Sequence, residues 1–324
     1  MRRNKNNSIA AIIVFSYLLI VTSVVAAGSR IITLKPPNDH NAYAFSMQNL
    51  ANGTSSSNTT ATLIVKLFAN NLENHIQKAG AILNVTSKLP QVRNTSFAYL
   101  LNQTLSTLHG IPQNADVEKR EIAKNILASD KDFFEIVFFM PNGDIYFDVP
   151  FSEQKILTTN NFAFRDYFQG AMRTNDTYMG NVITSAASPV REALVAVPVY
   201  SLKENNNSTT TIAGIWAGGI DFNVLSKELQ SLNLTSAGMR VVYVGHNGNK
   251  IADSDANKSS TQESFANLTS FRNAAINGQS GSVMETINNT KMIVTYEPLK
   301  AFHNTWAVLL MQQLPPLSSN QTLR

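Results

Sequence analysis

At 324 residues and 44% hydrophobic, the chain is large enough to bury one large core or two ordinary ones. It contains no cysteine, which excludes disulfides, zinc–thiolate centres and thiol nucleophiles. The formal net charge is +4, but Arg2, Arg3 and Lys5 supply three of those charges, so the nearly neutral body has no electrostatic footprint for nucleic acid.

Behind the basic tip runs a mostly apolar stretch, Ile9 to Ala27. Roughly 19 such residues form about 28 Å of helix, close to the hydrocarbon thickness of a bilayer. Val25-Ala26-Ala27 before Gly28 also fits a cleavage site. Residues 1–27 are therefore a signal peptide or an N-terminal membrane anchor, and either places the rest of the chain outside the cytoplasm. Asn-x-Ser/Thr sequons agree with export, among them those at Asn84, Asn94, Asn102, Asn175, Asn233, Asn257, Asn267 and Asn288.

Residues 28–60 are polar and read as a linker. Ile64, Leu67, Phe68, Leu72, Ile76, Ala79 and Leu83 then recur at three- and four-residue steps, the face of an amphipathic helix that Leu89-Pro90 ends. Further helical segments fill the remainder of 61–130. Strands follow. Ile136–Asp148, IVFFMPNGDIYFD, is echoed about 105 residues later by Val241–Asp253, VVYVGHNGNKIAD. Each copy places an Asn-Gly pair between two apolar runs, which predicts two hairpins with two-residue turns. After the first hairpin the pattern predicts a helix over Phe162–Met172, capped by Asn160 or Asn161. Strands are expected at Tyr178–Ile183, Ala193–Tyr200 and Ile212–Ile220, with Lys203–Thr211 as a polar connection, and a helix at Val224–Leu232. The second copy repeats this order: a helix at Phe265–Asn277, then strands at Gly281–Thr286, Met292–Tyr296 and Thr305–Met311. The class is α+β: a long N-terminal helix followed by two antiparallel-sheet modules, over residues 131–235 and 236–312, with a tail at 313–324.

No catalytic or cofactor signature is present. The chain lacks GxSxG, P-loop, GxGxxG and HExxH patterns. Asp253-Ser254-Asp255 lacks the glycine and distal glutamate of an EF-hand and reads as a turn. Asp148 and Asp253 hold equivalent repeat positions and so share a structural role. No enzyme, metal or cofactor is expected.

The informative constellation is Phe164-Arg165-Asp166-Tyr167-Phe168, with Tyr178 at the next strand, Tyr146 in the first hairpin and Asp221 closing GIWAGGID. Arg165 offers a planar donor fork suited to a carboxylate. Asp221 follows Ile215, Ala217 and Gly219 on one strand face, where a carboxylate needs a partner. A bland alternative stands beside each: Arg165 pairs with a nearby acid, Asp221 caps the following helix, and Tyr167 and Phe168 are core aromatics.

This order of motifs resembles the double Cache family of extracytoplasmic sensor domains over about residues 60–312, most strongly over Phe134–Phe222. The resemblance implies two PAS-like modules, with a small-molecule pocket in the membrane-distal one. In amino-acid-binding members an Arg-x-Trp-Tyr stretch and a distal Asp hold the zwitterion. Arg165 matches the Arg and Asp221 the Asp. Tyr167 stands where Trp is usual, Phe168 where Tyr is usual, and Ile183 where a further Tyr is expected. The resemblance thus implies ligand contacts at Arg165, Tyr167, Asp221 and Phe168, and a carboxylate held at Arg165; Tyr178 and Tyr146 are further candidate contacts from their place beside this cluster. The expected protein is a sensor bound to the membrane through its N-terminal helix, within a homodimer, relaying to a separate signalling or transport partner. An anchored or secreted solute-binding or surface glycoprotein without a signalling role is the alternative.

Overall fold

The computed structural model describes residues 57–187, 191–202 and 211–313. The apolar run Ile9–Ala27, most of the polar linker, the connection 203–210 and the tail from 314 lie outside the described residues. Among the described residues no helix is long and apolar enough to cross a membrane.

Helix α1, Ser57–Thr86, begins inside the stretch read as linker. Ile64, Phe68, Leu72, Ile76, Ala79 and Leu83 are buried as their spacing requires. Leu67 is 61% exposed, because it precedes Phe68 by one residue and falls outside the buried arc. Short helices α2 (Pro90–Arg93) and α3 (Leu101–Leu108) lead to α4, Val117–Ser129.

The first sheet has the order β2-β1-β7-β6-β3. Its strands are β1 (Phe133–Phe139), β2 (Ile145–Val149), β3 (Tyr178–Met179), β6 (Leu194–Tyr200) and β7 (Ile212–Ile220). Between them lie α5 (Phe151–Ile156), α6 (Asp166–Thr174) and a small ribbon of β4 (Ile183–Thr184) with β5 (Arg191–Glu192). Helix α7, Phe222–Ser231, leads to a second sheet of order β10-β11-β12-β8-β9. That sheet is built from β8 (Met239–Val244), β9 (Lys250–Asp253), β10 (Gly281–Ile287), β11 (Thr290–Ala301) and β12 (Asn304–Gln313). The helix expected at Phe265–Asn277 is only a short turn α8, Thr269–Phe271, running into a π-turn at Arg272–Ile276.

The repeat survives as geometry, with one correction. Only Gly143 and Gly248, at φ +88 and +80, take positive φ in the two hairpin loops. Each loop closes a four-residue turn: Gly143 N–H bonds Met140 O, and Gly248 N–H bonds Gly245 O, each at 2.9 Å. The loops are thus five residues long rather than two, with the glycine taking the one left-handed position in each. The tips clasp the chain that follows in the same way: Phe162 N–H donates to Gly143 O and Phe265 N–H to Gly248 O. A Cβ on Gly143 would lie 2.6 Å from both the Cβ and the backbone nitrogen of Ala163. Gly143→Ala therefore combines backbone strain with a clash and is expected to destabilise the fold by about 2–4 kcal/mol, read by urea denaturation.

α1 packs against both sheets, its C-terminal end fixed by a 3.0 Å bond from Trp216 Nε1 to Thr86 Oγ1 and Gly80 lying under the Phe302 ring. His75 ties it to the entrance of β1, with Nδ1 2.9 Å from Asp132 and Nε2 3.3 Å from Glu228 on α7. The Asp132 hydrogen bond, then that of Glu228, raises the imidazole to about 9. A raised histidine stabilises the folded state fully below its unfolded value and loses that contribution as pH rises through 9. For this half-buried group we expect about 1–2 kcal/mol after solvent screening. Denaturation midpoints at about pH 6 and about pH 10 should differ by that amount more in the parent than in His75→Gln.

Candidate functional site

Strand alternation divides the first sheet into two faces. Ile136 and Phe138 face the core shared with α1, whereas Glu135, Val137 and Phe139 face a second cluster beneath α6. On this side lies a cavity of about 20 Å³, room for roughly one water. Its wall is apolar except for six groups: Glu135, Asp148, Glu192, Arg165, Tyr167 and Ser185. The three carboxylates are at most 4% exposed.

Arg165 is placed by the start of α6. The helix begins at Asp166, so Arg165 takes extended backbone at the N-cap and its side chain leans away from the helix. The guanidinium stands 5.1 Å from the Phe164 ring centre and donates a long bond, 3.4 Å, to Thr184 O. The helix expected from Phe162 starts four residues later because Asn161 is occupied elsewhere. Its side chain accepts from Ala163 N–H and donates to Asp144, tethering the hairpin tip.

Asp148 Oδ1, Glu192 Oε2 and Arg165 Nε are buried with no hydrogen-bond partner among the described residues. Burial pushes all three carboxyls above the usual carboxylate range. Glu192 is raised to about 7 by desolvation, partly offset by its hydrogen bond with Glu135 and by Arg165. Glu135 is raised as well, by desolvation first and then by repulsion from Asp148 and Glu192. Two wider clefts, of about 320 and 200 Å³, lie where the first module meets the second, with Arg191 on both walls. Their charged groups are already engaged: Arg191 donates to Lys250 O, and Glu263 pairs with Arg240 and Lys250. The small cavity, and not these clefts, holds buried ionisable groups with unpartnered atoms.

A family model described as a Cache domain matches residues 47–319. The chain belongs to the Cache family. Its two sheets behind one long helix are the double Cache arrangement of these sensor domains. The ligand-binding domain of the Pseudomonas fluorescens chemoreceptor CtaA, solved with L-isoleucine, has a TM-score of 0.53 at 13% identity, covering 86% of this chain and 97% of that one. The periplasmic sensory domain of the Campylobacter jejuni chemoreceptor Tlp1 gives 0.53 at 15% identity, over 84% of this chain and 99% of that one. An extracellular ligand binding receptor from Desulfohalobium retbaense DSM5692 gives 0.52 at 10% identity; the match spans 76% of this chain but only 39% of the receptor. At these identities the likeness concerns the fold. No curated protein matches the chain.

Of the six candidate ligand contacts, Arg165 and Tyr167 line the cavity. Phe168 packs edge-on against Phe139 in the core beside it. Tyr178 stacks on His303 of the second module and covers Gly170. Tyr146 lies on the opposite face: it is the extra residue where Phe138 pairs with Phe147 and Phe139 with Ile145, and its hydroxyl donates to Asp116 at 2.7 Å. Asp221 falls one residue beyond β7 and caps α7, its carboxylate accepting from Asn223 N–H at 2.8 Å. The acids that do face Arg165's cavity are Glu135, Asp148 and Glu192.

Proposed function

We propose that this Cache chain is an extracytoplasmic sensor that binds a small ligand carrying both a carboxylate and an ammonium, an amino acid or a close relative, in the cavity beneath α6. One observation carries the reading: a guanidinium nitrogen and two carboxylate oxygens, of opposite sign, are buried without partners around one cavity. Arg165 holds the ligand carboxylate, the acid cluster holds the ammonium, and Tyr167 packs along the ligand. A cavity of about 20 Å³ admits such a ligand only if its wall moves, so binding and conformational change are coupled. The movement reaches the second module through the β3–β5 segment. That segment lines the cavity at Ser185 and Glu192, and its Val182 O accepts from Asn247 in the second module at 3.0 Å. In the full protein α1 carries the change to the membrane and a signalling partner.

The test is thermal unfolding of the purified full-length chain against amino acids, amines and small carboxylates. A raised midpoint with one class, absent in Arg165→Ala, supports the reading; no shift across the panel contradicts it. A surface-glycoprotein role has one observation in its favour. The sequon asparagines at 94, 102, 175, 233, 257, 267 and 288 are all exposed. Intact mass before and after N-glycosidase treatment of the native protein tests that reading.

A further inference from the structure

Resting on the binding reading above, we infer that the ligand carries net positive charge, with a second ammonium or a guanidinium group besides its α-ammonium. The argument comes from comparing the two copies of the repeat. Val137 pairs with Asp148 in the first sheet as Val242 pairs with Asp253 in the second. In the second copy Asp253 is neutralised from within. Arg240 reaches it with Nε at 3.1 Å and Nη2 at 2.5 Å, Lys250 Nζ stands at 3.2 Å, and both cations also meet Glu263. Two carboxylates there face two cations.

The residue equivalent to Arg240 in the first copy, two before Val137 on the same strand face, is Glu135. The residue equivalent to Lys250 is Ile145. The first copy therefore keeps the acid, replaces one partner cation with a second acid and the other with an apolar side chain, and adds Glu192 from β5. Three carboxyls, each more than nine-tenths buried, line the cavity opposite the single cation Arg165. Once Arg165 takes the ligand carboxylate, no protein cation in the cavity remains for the acids. A neutral amino acid brings one positive group to them; a basic amino acid brings two, as Arg240 and Lys250 do in the second module. The unpartnered oxygens of Asp148 and Glu192 are the acceptors. The second module is thus a site filled by its own side chains, and the first is the same site left for a ligand. Arg120, behind β2, donates to Asp148 O and Gln154 rather than to the cavity oxygens, and so leaves them free.

Calorimetric titration of the purified full-length chain with L-lysine, L-arginine, L-glutamine, L-alanine and glutarate tests this. At least one basic amino acid should bind about tenfold or more tightly than L-glutamine, and Asp148→Asn and Glu135→Gln should each erase that preference. Glu135→Arg, which copies the second module, should raise the unfolding midpoint and abolish binding of the basic ligand. If Glu135→Arg does not fold, the two conservative variants carry the decision. Equal or tighter binding of L-glutamine or L-alanine would overturn net positive charge while leaving the amino-acid reading intact; equal or tighter binding of glutarate would overturn both. Binding of none of the five would overturn both.

Discussion

Arg165→Ala is expected to lose ligand binding by at least about thirtyfold while its unfolding midpoint stays within a degree or two of the parent. The two halves of this result have separate causes. Removing one partner of a desolvated, hydrogen-bonded charge pair costs about 2–5 kcal/mol, chiefly because the other charge is left buried without compensation. That cost falls on the complex, since it is the ligand carboxylate that loses its partner. In the unliganded protein the guanidinium makes one long bond to Thr184 O and rests over the exposed Phe164 ring, so its removal gives up little. Arg165→Lys keeps the charge but not the fork and should recover only part of the affinity. Titration calorimetry of the three proteins with whichever ligand shifts the parent reads the first half, and scanning calorimetry the second. A folded Arg165→Ala with parental affinity would remove Arg165 from the site.

Glu192→Gln is expected to stabilise the unliganded protein at alkaline pH and to do so hardly at all near pH 4.5. Burial raises the folded carboxyl to about 7 from an ordinary value of 4.5, so between those values the folded state holds a proton that the unfolded chain has released. Stability of the parent therefore falls as pH rises from 4.5 to 7 and stays low above that. The difference corresponds to about 1–3 kcal/mol, or roughly 3–10 °C in midpoint for a chain of this size. Glutamine copies the protonated acid and escapes the loss. The groups facing Glu192 are Glu135, Arg165, Ser185 and, at longer range, Glu153; only Arg165 is a cation, and its pull is already included in the raised value. A ligand ammonium binds the ionised cluster, so its affinity should strengthen as pH rises through about 7 in the parent and lose most of that dependence in Glu192→Gln. Denaturation of both proteins at several pH values without ligand reads the stability, and calorimetry reads the affinity. Equal stability of the two at about pH 8 would mean that Glu192 ionises freely and that the cavity imposes no electrostatic strain.

Such a cluster stores instability at the proposed binding site, which a partner of the right charge would relieve. The second sheet shows the alternative outcome in the same chain: Arg240 and Lys250 close the equivalent position permanently. Lys250 and Asp253 are both fully buried and mutually paired, and among the described residues that module has no buried charged group without a partner.

The fold was readable in the chain because its signals are local and repeated. The α1 face, the paired Asn-Gly hairpins and the strand Ile212–Ile220 all follow from periodicity that tertiary contacts do not override. The turns depart from the two-residue expectation because an Asn-Gly pair permits a two-residue loop without requiring one. Gly143 and Gly248 alone supply the left-handed residue that a five-residue loop needs. At Phe265–Asn277 sequence spacing promised a full helix, but only α8 and a π-turn form beside β10.

The site was half legible. Arg165 and Tyr167 stood out as a charged and aromatic cluster at a helix start. Asp221 seemed to extend the β7 alternation, but the strand ends at Ile220 and the next carboxylate is drawn to the first free N–H groups of α7. Tyr146 was turned away by a one-residue bulge, which no alternation rule anticipates. Glu135 was overlooked although its signal was in plain view: a single acid inside FFEIVFF, two residues before Val137 on the same face, at the repeat position where the second copy has Arg240. Glu192 carries no such signal, because it reaches the cavity from a two-residue strand, too short to show any alternation.

The most direct test of the account is a crystal structure of the protein with the ligand that raises its unfolding midpoint. The account predicts ligand density beneath α6, with a carboxylate on the Arg165 guanidinium and a cationic group against Asp148 and Glu192. Density in the clefts beside Arg191 at the junction of the two modules, with the cavity beneath α6 unchanged, would contradict it.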